Sequence, residues 1–279
     1  MKIDLTNKVC VVTGAGGVLC SKFAAAVAKV GAKVAVLDLN YDAANKVKEQ
    51  ICADGGCAIA VKCNVLDKES LVEAKKQVND SLGKIDILIN GAGGNNPKGT
   101  TDKEYYEEGD IDRDDIKTFF NLDPDGIRFV FDLNFLGTLL PTQVFASDMA
   151  KNKDGVILNV SSMNAFTPLT KIPAYSGAKA AVSNLTQWLA VHFATSGIRV
   201  NAIAPGFFIT AQNKTLLLNE DGSFTERSNK IIRNTPMERF GKPEELIGTL
   251  LYLLDNNFSA FVTGIVVPVD GGFSAYSGV

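Results

Sequence analysis

Residues 9–38 read "VCVVTGAGGVLCSKFAAAVAKVGAKVAVLD", and this stretch decides the fold. A short Val-rich run ends in a glycine cluster, an alanine-rich segment follows, and a second Val-rich run closes on Asp38. Apolar runs without strict alternation suit strands covered on both faces. Gly14, Gly16 and Gly17 permit tight or positive-φ turns and would aim the N-terminal amides and dipole of the next helix, from Val18 onward, at an anion such as a pyrophosphate. Glycines alone make only a turn. Here they lie between a strand and a helix, and Asp38 follows them by about 20 residues, where a dinucleotide fold puts the acid that binds the adenosine ribose. Such an acid repels a 2′-phosphate, so NAD(H) is expected over NADP(H). Asp38 would equally suit a turn or helix cap beside Asn40 and Asp42.

The same alternation continues outward. Apolar runs recur at 58–65, 85–91, 155–162, 198–206 and 264–272, with helical patterns at 21–31, 67–83, 136–151 and 178–197. Strand and helix in turn along the chain predict an α/β fold: one domain over 1–279, a doubly wound parallel, Rossmann-like sheet with helices on both faces. One segment breaks the rhythm. Residues 95–125 hold ten acidic and four basic side chains between a strand and a helix, too long for an ordinary βα loop. They read as an acidic surface insertion at the C-terminal edge of the sheet, serving as lid, interface or solvated excursion.

Composition narrows the function. A net charge of -3 provides no basic field, so nucleic acid is not an expected partner. No apolar run reads as long enough to span a bilayer, and Asp4 stands where a signal peptide needs apolar residues, so the expectation is a cytoplasmic protein without a membrane partner. The five cysteines, Cys10, Cys20, Cys52, Cys57 and Cys63, form no C-x-x-C pair and read as reduced thiols. His192 is the lone histidine; no metal site and no histidine catalysis are expected.

A second stretch carries chemistry. In "KIPAYSGAKAAVSN", residues 171–184, Tyr175 and Lys179 fall one turn apart on one helical face. Small residues between them would leave an open patch through which a ligand reaches the phenol.

Taken with "NGAG" at 90–93, Asn134 in "DLNFLG", Ser162 in "NVSS", "PGFFIT" at 205–210 and "VDGG" at 269–272, the chain resembles the short-chain dehydrogenase/reductase family from Val9 to Gly272. The resemblance implies a catalytic set of Asn134, Ser162, Tyr175 and Lys179. Tyr175 would exchange the hydroxyl proton, and its phenol, ordinarily near about 10, would have to be lowered toward neutrality by Lys179 and an oxidised nicotinamide. Lys179 would also hold the nicotinamide ribose, Ser162 would position the substrate oxygen, and Asn134 would anchor a relay water. By the same resemblance Asn64 and Val65 would meet the adenine, Asn90 and Ala92 would lie beside the cofactor, Pro205 and Gly206 would turn around the nicotinamide, and Ile209 and Thr210 would orient its carboxamide. Two features depart from the family pattern: Val18 and Cys20 where glycine is usual, and the acidic insertion. Cys20 would cost the close approach of helix to strand.

Within the family, "GAGGNNPKGTTD" (91–102), "SSMNAFTPLTKIPAYSGAKAA" (161–181) and "APGFFITAQNKTLL" (204–217) resemble the D-mannonate oxidoreductases, or fructuronate reductases. That implies a sugar-acid substrate, with Asn96, Lys98, Asn164, Lys171 and Gln212 as candidate contacts and Lys98 or Lys171 facing its carboxylate. Another polyol, ketose or hydroxyacyl substrate on the same scaffold is the alternative, and a non-catalytic nucleotide-binding regulator a weaker third. The resemblance also implies a homotetramer or homodimer built on the helices at 136–151 and 178–197.

Overall fold

In the computed structural model, which describes residues 2–209 and 214–278, the opening stretch forms β1 (Val9–Thr13), α1 (Val18–Lys29) and β2 (Lys33–Asp38). The chain continues through α2 (Tyr41–Ala53), β3 (Cys57–Lys62), α3 (Lys68–Ser81) and β4 (Ile87–Asn90). After the insertion come α4 (Pro124–Phe131), α5 (Gly137–Asn152), β5 (Gly155–Val160), α6 (Pro173–His192) and β6 (Ile198–Pro205). Then follow α7 (Lys214–Leu217), α8 (Glu226–Arg233), α9 (Ile247–Leu254) and β7 (Val266–Val269). The seven strands are parallel, in the order β3-β2-β1-β4-β5-β6-β7. Strand order reverses at β1, whose neighbours are β2 and β4, which opens a crevice beyond their carboxyl ends.

The unbroken apolar runs have a simple cause. Val9 and Val11 of β1 face a core built with Leu71 and Val78 of α3 and Phe145 and Met149 of α5. Cys10 and Val12 face the opposite core, with Phe23 and Val27 of α1 and Leu250 and Leu253 of α9. Both faces are buried, so neither can be polar. The same burial accounts for a correction: the helical run Pro124–Asn152 is long enough to cross a membrane and holds an 18-residue stretch apolar enough to do so, with a mean hydropathy of 1.3, yet half of that stretch is buried inside the protein. Its apolar character follows from packing on the sheet.

Between β4 and α4 the insertion has only short 3₁₀ turns, at Pro97–Gly99, Asp110–Asp112 and Phe119–Asn121. It is held by ion pairs and backbone bonds instead of a core, among them Asp102 N–H to Lys117 O at 2.9 Å and Lys103 to Asp110 at 2.7 Å. Its aromatic residues Tyr105, Tyr106, Phe119 and Phe120 stay exposed. Further on, α4 and α5 are joined by a π turn, Asp132–Leu136, that contains Asn134.

Candidate active site

The crevice is lined by backbone. Gly14 has φ +64° and lies so close to the β4 loop that a Cβ there would stand 2.8 Å from the Ala92 Cα. Thr13 Oγ1 accepts the Gly91 and Ala92 amides at 3.1 and 3.3 Å, which clips the two loops together. Gly17 caps α1 without a side chain, and no acidic residue occupies the first turn. The leading amides of Val18 and its neighbours are therefore electrostatically suited to an anion. Asp38 acts as a cap: one carboxylate oxygen accepts the Gly16 amide and the other the Asn40 amide, each at 2.9 Å, and lone pairs remain on both oxygens.

Cys20 answers the first departure from the family pattern. A Cβ on Gly91 would stand 2.2 Å from Cys20 Sγ; the glycine missing from the helix is supplied by the facing loop, and the close approach survives. Burial pushes the Cys20 thiol up to about 12, so it is a packed thiol and not a nucleophile.

Other expected cofactor residues frame the same cleft. Asn90 donates to Thr142 at 3.0 Å and Asn159 at 2.9 Å, while its buried Oδ1 has no partner. Asn64 is exposed and uses its Oδ1 in a turn, accepting the Leu66 amide at 3.1 Å. Val65 is buried against Gly137. Pro205 ends β6, and a Cβ on Gly206 would meet the Asp270 Cα at 2.6 Å. Ile209 packs toward Leu217, Ile231 and Phe240. Thr210 and Gln212 lie outside the described residues.

The four expected catalytic side chains converge at the ends of β4 and β5. Asn134 is buried; its Nδ2 donates to Gly94 O at 2.7 Å and Val130 O at 2.8 Å, and its Oδ1 accepts the Gly94 amide at 3.3 Å. With both donors paired, the Asn134 side chain clamps the Gly93–Gly94 loop. The π turn makes this reach possible, as such turns often do at functional sites. Lys179 is buried and donates to Val160 O at 2.8 Å. Burial lowers its ammonium to about 8, and it lies 5.7 Å from the centroid of the Tyr175 ring. The Tyr175 phenol is raised by burial, against which hydrogen bonding with Ser162 acts in the lowering direction. In the protein by itself burial thus works against the lowering expected of Lys179 together with an oxidised nicotinamide.

The small residues of α6 also differ from the expected open patch. Ser176 and Ala178 are buried, and the missing side chain of Gly177 admits the Phe131 ring, which would lie 3.3 Å from a Cβ. Ala174 and Ala178 pack with Val130. Their size lets α4 approach α6.

A cavity of about 490 Å³ lies between the segment Thr167–Lys171, Phe207, α8, Phe273 and the insertion. Its walls continue the chain segments that carry Ser162 and Tyr175 on one side and Pro205–Gly206 on the other. Lys171 lines it and holds a left-handed backbone, φ +71°, a conformation costly for lysine and found most often where function demands it. Asn164, 5% exposed with an unpartnered Oδ1, follows Ser162. Lys98 and Asn96 stand apart from the lining: Lys98 is exposed and pairs with Asp123 at 3.4 Å, and Asn96 caps its own turn. Sequence reasoning missed Glu104, Arg227 and Lys230, which do line the cavity. A signal existed: Arg227 and Lys230 share one helical face three residues apart, after the Thr225 cap.

A profile of the short chain dehydrogenase family matches residues 8–221. An uncharacterized oxidoreductase of Haemophilus influenzae is 60% identical over 99% of this chain and 96% of its own length. An uncharacterized oxidoreductase of Bacillus subtilis, UxuB, is 53% identical over 99% and 98%. Among solved structures, a Haemophilus influenzae protein with bound NAD, provisionally assigned as a D-mannonate oxidoreductase, superposes with a TM-score of 0.95 at 59% identity, covering 99% of this chain and 98% of that one. The parallel sheet, the glycine crevice and this near full-length likeness meet in one conclusion: the chain belongs to the short chain dehydrogenase family and is an oxidoreductase.

Proposed function

We propose that this oxidoreductase moves a hydride between NAD(H) and a sugar acid, interconverting D-mannonate and D-fructuronate. The carrying observation is that the segments bearing Ser162 and Tyr175 continue into the wall of a cavity where three cations, Lys171, Arg227 and Lys230, outnumber two acids, Glu104 and Glu226. An anionic, polyhydroxylated ligand suits such walls, with Thr167 and Thr170 adding hydroxyls. The NAD-bound structure assigned to D-mannonate supports the same reading.

The cleft fits a dinucleotide on its own evidence: a Gly14 crevice too tight for a Cβ, an uncapped α1, the orphaned Asn90 Oδ1 and the Asp38 carboxylate. Gly14, Gly16, Gly17 and Val18 would hold the pyrophosphate, Asp38 the adenosine ribose and Lys179 the nicotinamide ribose. NADH, when bound, supplies the hydride. Tyr175, protonated at neutral pH, delivers its proton to the oxygen that gains charge as the ketone is reduced. Ser162 donates to the same oxygen and sets its position. The Lys179 ammonium, over the Tyr175 ring, stabilises the phenolate left behind. Asn134 fixes the Gly93–Gly94 loop against which Lys179 packs, since a Cβ at Gly93 would lie 3.2 Å from its ammonium. We extend the reading to a cytoplasmic homo-oligomer; exposed Trp188 and Val191 on α6 support burial by another copy.

The test is NADH oxidation with D-fructuronate beside D-tagaturonate, fructose and 5-keto-gluconate. Selective turnover of fructuronate is expected; turnover of none of the uronates removes the substrate assignment.

A further inference from the structure

The insertion and α8 meet across the mouth of the cavity through one ion pair, Glu104 with Lys230. Most acids of the insertion are answered locally: Glu107 and Asp110 by Lys103, Asp115 by Arg113, Asp102 by Lys117, Asp123 by Lys98 and Asp125 by Arg128. Among the described residues, Glu104 is the acid of this segment whose cation lies on a distant element. The arm carrying it is pinned three residues earlier, where the Thr101 amide donates to Lys171 O at 2.9 Å. Glu104 therefore projects a carboxylate over the same wall that presents Lys171, Arg227 and Lys230.

We infer that Glu104 is an internal counter-ion standing in for a substrate carboxylate, and that Lys171, Arg227 and Lys230 select acids by exchanging the one carboxylate for the other. The inference rests on the sugar-acid reading for the identity of the incoming anion. The three cations all act on Glu104: Lys230 first, then Lys171 and Arg227, hold its carboxyl below the usual range. The pair is also easy to open. Lys230 is 59% and Glu104 27% exposed at their side chains, and exposed pairs are weakly held. A ligand that brings its own carboxylate replaces what it displaces; a neutral polyol must either leave Glu104 in place or leave three cations to Glu226 alone. The exchange thus favours acids over neutral sugars of the same size.

Calorimetric titration of the NADH-loaded enzyme with D-gluconate, a six-carbon acid without a keto group to reduce, tests the exchange, with D-sorbitol as the neutral control. Glu104→Gln is expected to tighten gluconate binding about two- to fivefold and to leave sorbitol unchanged. Lys230→Gln is expected to weaken gluconate, and adding Glu104→Gln to it to bring no further gain. Unchanged or weaker gluconate binding by Glu104→Gln, an equal change for sorbitol, or no gluconate binding by any form overturns the inference. Glu104→Asp, which shortens the reach to Lys230, takes the place of the glutamine variant if that variant does not fold, with the same tightening expected and the same results overturning the exchange. Turnover keeps the two readings separate. Tightened gluconate binding in an enzyme that reduces no uronate retires the substrate assignment and keeps the exchange; brisk fructuronate turnover with unaltered gluconate affinity does the opposite.

Discussion

The two ends of the active-site cleft are made of different materials. The end proposed for the cofactor, at Gly14, Gly91 and Asn134, consists of backbone brought within van der Waals contact and buried groups with fixed partners. The end proposed for the substrate, at Glu104, Lys171, Arg227 and Lys230, consists of long charged side chains, with Glu104 on an inserted loop and Arg227 and Lys230 on a two-turn helix, the two elements joined by an ion pair. A rigid crevice suits a ligand that never changes, whereas adjustable walls suit the ligand that distinguishes one family member from another.

Substitutions can sharpen or break that contrast. Where the two ends meet, Tyr175→Phe should reduce kcat about a thousandfold while NADH binding, followed by its fluorescence, persists; retained turnover would remove the phenol as proton donor. At the rigid end, Gly91→Ala drives a methyl group into Cys20 Sγ and should cost about 1–3 kcal/mol in urea unfolding. Cys20→Gly in the same chain should recover part of that loss, and purely additive effects would disprove the swap of glycine from helix to loop. Asp38→Ala should shift the preference for NADH over NADPH by about tenfold, a cost in line with losing a charged acceptor; an unchanged ratio would take Asp38 out of the ribose site. At the adjustable end, Lys98→Ala removes an exposed pair and should alter stability by less than about 0.5 kcal/mol and the KM for fructuronate by less than about twofold. A larger KM effect would bring Lys98 back to the substrate.

The same contrast explains what could be read in advance. The inner strands were legible because burial on both faces leaves a mark every few residues, as at Val9–Thr13 and Ile198–Pro205; the half-exposed edge strands β3 and β7 were legible by their apolar content alone. The positions of Asn134, Ser162, Tyr175 and Lys179 were legible by resemblance, since each carries chemistry that few other residue types supply. Their electrostatics were not: whether burial or Lys179 governs the Tyr175 phenol depends on distances no spacing encodes. Gly91 as partner of Cys20 was hidden because 71 positions separate residues that touch. Arg227 and Lys230 were hidden for a different reason. Charged residues on a short amphipathic helix look like any solvated face until the insertion is seen to lie opposite.

The wide turn at Asp132–Leu136 has a consequence for how this chain can change in length. A regular helix through the same points would need one residue fewer, so deleting one would close the turn and leave α4 and α5 on their axes. Asn134, carried on the widened turn, would then be drawn off Gly94. The segment from Pro124 to Gly137 is therefore a fixed-length gauge between the two ends of the cleft. The loop just before it, free of any ladder to keep in register, is where residues can be gained or lost and substrates exchanged.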